Sequence, residues 1–120
     1  MKLLLTIACC CFFTMLMAQQ PVATTNKLNP SIKTDTLETA CGMCQFDMKG
    51  EDCALAVRIA GKGYYVDGTN IDQHGDAHAK DGFCNAIRKA AVQGAIVNNR
   101  YKVTYFKLLP VKTEPLKIKE

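Results

Sequence analysis

The chain has 120 residues, 48% of them apolar and 22% charged, with no tryptophan, 7 cysteines and a net charge of +4. That length folds one small domain with a modest core and excludes a large multidomain enzyme, while the balance of apolar and charged residues excludes wholesale disorder and a multi-span membrane protein. The charge is too small to argue for nucleic acid or anionic lipid as a partner, so most of the information lies in the cysteines and where they sit.

Met1 and Lys2 precede an almost uninterrupted apolar run from Leu3 to Ala18 that contains no acid. This is the pattern of a secretory signal peptide: the run falls short of the roughly 20 residues that cross a bilayer, and Ala18 suits cleavage before Gln19. Residues 1–18 are therefore expected to be removed, leaving a periplasmic or secreted protein. Cys9, which follows Ala8, offers a lipid-attachment site as the alternative, and membrane association is expected only in that case. Cleavage would take away Lys2 and three cysteines, lower the net charge from +4 to +3, and leave Cys41, Cys44, Cys53 and Cys84. Residues 19–31, rich in Thr, Asn, Gln and Pro, read as a flexible leader to a domain over residues 32–110.

Within the domain, residues 34–40 make a first strand. Residues 53–60 place Leu55, Val57 and Ile59 on one face at period two, and Gly61-Lys62-Gly63 turns the chain back into Tyr64 to Asp67, giving a hairpin. Those glycines are not a P-loop, since the spacing is wrong and no Ser or Thr follows the lysine. Residues 79–91 change to a helical period, with Phe83, Ile87 and Ala90 or Ala91 facing the core and Arg88 and Lys89 in the last turn. A second hairpin follows, residues 92–97 and 101–109 joined through Asn98-Asn99, with Tyr101, Val103 and Tyr105 on one face and Lys102, Thr104 and Phe106 on the other. Pro110 stops the strand, and residues 111–120 read as a loose tail. The expected fold is α+β, mostly β: a small five-stranded OB-like barrel with its helix between the third and fourth strands.

Cys41-Gly42-Met43-Cys44 is a C-x-x-C, a spacing that turns two sulfurs toward one ion. In an exported domain, however, four cysteines most simply form two disulfides, each contributing about 2–4 kcal/mol to a domain with a small core, and the sequence does not choose among the three possible pairings. The first reading is therefore a disulfide framework of Cys41, Cys44, Cys53 and Cys84 with no cofactor. The alternative is a zinc or copper site built from Cys41, Cys44, His74, His78 and Cys84, in which an extended segment would project Asp72, His74, Asp76 and His78 to one side. Serine nucleophile chemistry is excluded, because Ser31 is the only serine and lies in the leader. Gly75-Asp76-Ala77-His78 mimics a metallophosphoesterase motif, but the rest of that two-metal set is missing.

Three segments, Cys41-Gly42-Met43-Cys44-Gln45-Phe46, Tyr65-Val66-Asp67-Gly68 and His74-Gly75-Asp76-Ala77-His78 running on to Cys84-Asn85-Ala86, resemble a family of small secreted bacterial proteins without assigned function. Some of its members carry a glutaminyl-tRNA synthetase label, which this chain does not support: it has too few residues and no nucleotide-binding motif. The resemblance implies no catalytic role. The expectation is an exported, non-enzymatic binding module of unknown ligand, stabilised by cysteines, with the extracytoplasmic zinc or copper protein as its alternative and with nucleic acid not expected as a partner.

Overall fold

The computed structural model describes residues 26–112. The expected signal peptide, Cys9 and most of the tail lie outside the described residues. Five strands form a closed barrel in the order β1-β2-β3-β5-β4: β1 (Asp35–Cys41), β2 (Leu55–Ile59), β3 (Lys62–Asp67), β4 (Arg88–Val97) and β5 (Arg100–Leu108). All neighbours are antiparallel except β3 and β5, whose short parallel contact, Val66 opposite Tyr101 and Asp67 opposite Lys102, closes the barrel. Arg100 straddles the Asp67 carboxylate at 2.9 and 3.0 Å beside that closure. The five-stranded barrel expected from the sequence is thus present. Among the described residues no helix is long and apolar enough to cross a membrane.

The period-two pattern explains the hairpins. Leu55, Val57, Val66, Ala90, Val92, Tyr101, Val103 and Phe106 point inward and are buried together. The turns are built from residues at positive φ: Ala60 and Gly61 between β2 and β3, and Asn98 and Asn99, at 51° and 61°, between β4 and β5. Both pairs match the right-handed twist of the strands they join. The face assignment of β5 needs correction beyond Val103. The pairing shifts register between Gln93 and Gly94, so that Gln93 faces Tyr105 while Gly94 faces Val103 and Thr104 is extra. A bulge of this kind reverses the alternation, and Phe106, rather than Tyr105, enters the core.

The helix expected over residues 79–91 is also corrected. The only α-helix among the described residues is a single turn, α1 (Gly42–Gln45), and it lies between β1 and β2. Residues 76–86 instead form consecutive tight turns, with backbone bonds from Gly82 to Ala79, from Cys84 to Ala77 and from Ala86 to Gly82, before β4 begins at Arg88. The reason is local. A β-carbon on Gly82 would stand 2.3 Å from the Asp76 carbonyl oxygen and 2.4 Å from that of Ala77, so the chain doubles back on itself where a helix would run straight. Asn85 completes the fold, its side-chain amide donating to the carbonyls of His78 and Ala79. Phe83 is buried as expected, but Ile87 is 41% exposed. With Ile71 and Ala77, Phe83 plugs the barrel from this connection.

At the amino side, the buried Gln93 fixes residues 29–34 to the barrel wall. Its amide nitrogen donates to the carbonyls of Asn29 and Ile32 and to Thr34 Oγ1, and its oxygen accepts from the Asn29 N–H.

Candidate metal centre

The four cysteines come from three places. Cys41 ends β1 and caps α1, Cys44 lies within that turn, Cys53 stands two residues before β2, and Cys84 belongs to the turns between β3 and β4. The connection from β1 to β2 folds back over the outside of the barrel. Tyr65 covers Gly42 there, where a β-carbon would stand 2.6 Å from its ring, and the Tyr65 hydroxyl donates to the Lys49 carbonyl at 2.9 Å. That return brings Cys53 beside Cys41, helped by the Gly42 N–H donating to the Ala54 carbonyl.

The connection from β3 to β4 is tied to the same corner. The Cys41 N–H donates to the Phe83 carbonyl at 2.9 Å, the Cys84 N–H to the Ala77 carbonyl at 2.9 Å, and the Gln45 side-chain amide to the Cys84 carbonyl at 2.8 Å. The result is a cluster in which the Sγ atoms of Cys41, Cys44, Cys53 and Cys84 all lie within 4.8 Å of one another. All four are free thiols, and Cys53 and Cys84 share a sulfur hydrogen bond of 2.9 Å. Tetrahedral zinc with Zn–S bonds of about 2.3 Å sets its sulfurs about 3.8 Å apart, so a cluster of this spread accepts the ion with small adjustments of side chains.

Protons are unevenly held in the cluster. Burial opposes ionisation of Cys41, but hydrogen bonds from the Cys53 thiol, the Cys44 N–H and thiol, and the Met43 N–H outweigh it and draw its pKa below the ordinary thiol value. The other two resolved thiols move the opposite way: the hydrogen bond with Cys41, burial and the charge of Cys41 push Cys44 up to about 11, and burial, then Cys41 and Cys84, raise Cys53. Ionisation is therefore easier at Cys41 than at Cys44 or Cys53, because charge on Cys41 opposes charge on both. A divalent ion held by these four sulfurs would reverse that balance, because a coordinating thiol gives up its proton.

The histidines fall elsewhere. His74 ends a 3₁₀ turn (Ile71–His74) opened by Asn70, which accepts from the Asp72 N–H, and His78 is exposed on the following turn. The His74 ring lies tilted by 40° against Phe106 at 4.4 Å between centroids, meets Phe83 edge-on, and its Nε2 bonds Thr69 Oγ1 at 2.8 Å. Among the described residues, the group whose ligand atoms converge is the four cysteines, with neither histidine in it. It contains Cys53, a disulfide candidate by sequence that is absent from the expected metal set of Cys41, Cys44, His74, His78 and Cys84. A signal was available: Cys53 lies two residues before the period-two strand that pairs with the strand ending in Cys41.

No curated protein and no solved structure matches the chain. The family of unknown function DUF6370 matches over residues 35–109, from the first strand to the end of the last and with all four cysteines inside, and the chain belongs to that family.

Proposed function

We propose that the protein is an exported, non-enzymatic metal-binding module that holds one zinc ion through Cys41, Cys44, Cys53 and Cys84. The observation that carries this reading is the convergence of four free sulfurs within 4.8 Å. Four thiolates in a tetrahedron favour zinc or iron over the hard, oxygen-seeking cations, and a closed four-sulfur sphere is the arrangement of structural zinc, with no position left open for a catalytic water. Copper(I) shares the preference for sulfur but not the tetrahedral four-sulfur geometry that marks zinc and iron–sulfur sites. Export is supported by the apolar run from Leu3 to Ala18. In an oxidising compartment the bound ion would also keep the four sulfurs from pairing.

A second reading, two disulfides among the same cysteines, has in its favour the close approach of Cys53 and Cys84. Elemental analysis of protein recovered from the extracytoplasmic fraction separates the two. Zinc binding predicts one zinc per chain, lost in Cys41→Ser, and a melting temperature that falls when a strong chelator is added, because binding energy at such a site is also folding energy. Substoichiometric metal and a melt indifferent to chelator would support the disulfides.

A further inference from the structure

We infer that the ion held by the four cysteines enters and leaves past Cys44, by exchange of the Cys44 thiolate for a thiolate presented by an acceptor. This rests on reading the four cysteines as one metal centre and adds a direction and a route. The ligands are graded from core to solvent: Cys41 is fully buried and part of the barrel core, Cys53 and Cys84 are half-buried against it, and Cys44 is exposed. Beside Cys44 stands Met43, itself 39% exposed. An ion at the centre of this set has protein behind Cys41 and solvent in front of Cys44.

The backbone bonds reinforce the gradient. Cys41 and Cys84 are each anchored by their own N–H, to Phe83 and Ala77, and the Cys84 carbonyl is held by Gln45. Movement of either ligand would pull apart the join between the two long connections. Cys44 sits in a single helical turn on the outside, where its side chain can withdraw while the barrel stays shut.

The step is a ligand substitution without redox change. The incoming thiolate forms a metal–sulfur bond on the Cys44 side through a five-coordinate arrangement, the bond to Cys44 breaks, its sulfur takes a proton from solvent, and the metal keeps its oxidation state. The acceptor is defined by chemistry: a small thiol, or a protein offering exposed thiolates.

Zinc-loaded, full-length processed protein supplies the test. N-ethylmaleimide added to the native protein, followed by peptide mapping at increasing times, should label Cys44 first, with zinc loss following that single modification. Release of zinc to a chromophoric chelator should rise in proportion to added glutathione. In Cys44→Ser it should be faster by about tenfold or more, since loss of a mere orienting partner already weakens metal sites by ten- to a hundredfold. Simultaneous labelling of all four cysteines, first labelling at Cys53 or Cys84, or release independent of glutathione would overturn the inference while leaving the metal centre intact. If Cys44→Ser fails to hold zinc, the labelling order in the unsubstituted protein decides alone. Absence of zinc from the unsubstituted protein would instead defeat the metal centre itself.

Discussion

His74 illustrates how a residue chosen for one chemistry serves another. The Thr69 hydroxyl donates to Gln73 Oε1, so it must accept from His74, which places the proton of the neutral ring on Nε2. Burial between Phe83 and Phe106 holds the pKa of His74 below its ordinary value of 6.5. The unfolded chain therefore binds a proton on this ring at a pH where the folded one does not. Stability is complete above the unfolded value and is lost as pH falls below it toward the lowered folded value, with a slope of no more than about 1.4 kcal/mol per pH unit. Urea titrations at pH 7.5 and 5.5 should show a smaller loss on acidification for His74→Gln than for the unsubstituted protein. An equal loss would mean that the ring is not held neutral by its surroundings.

At the scale of elements, the segment between β3 and β4 carries the most consequence. Phe83 is 2% exposed within the core, and Phe83→Ala should cost about 3–5 kcal/mol through the cavity it leaves, which a thermal melt would register as loss of most of the folding transition in a domain this small. Gly82→Ala is the sharper probe of the turns. Its β-carbon would press on two backbone oxygens, so we expect lowered stability together with lowered metal content, measured by melting and by elemental analysis of the same sample. Retention of both would show that this turn can open without disturbing Cys84.

Most of the strands and the Asn98-Asn99 turn were legible because alternation and positive-φ residues are local signals, but the first turn falls on Ala60 and Gly61, with Lys62 and Gly63 already in β3, and the start of β4 at Arg88 was hidden under the helical period. The turns of residues 76–86 were not legible, since Phe83, Ile87 and Ala90 fit a helical period by coincidence while the deciding contact, Gly82 against the Asp76 and Ala77 carbonyls, is packing that periodicity does not encode. The bulge at Thr104 was hidden for the same reason. The cysteine cluster was half legible: C-x-x-C announces itself, whereas the return of Cys53 and Cys84 to the same corner depends on the fold of two connections.

For the whole molecule, the four cysteines join the connection between β1 and β2 to that between β3 and β4, at one corner of a barrel that already has its own apolar core. A domain of this size buries too little surface for large stability, so an ion bridging two long connections would supplement its core. We propose these four sulfurs as ligands of one metal and not as members of two disulfides. Native mass spectrometry of unreduced protein, paired with alkylation after denaturation, tests this assignment most directly. A single zinc adduct is expected in the native spectrum, lost on acid denaturation, after which Cys41, Cys44, Cys53 and Cys84 should all take iodoacetamide without reductant. A native mass free of metal, with all four cysteines refusing iodoacetamide until a reductant is added, would contradict it.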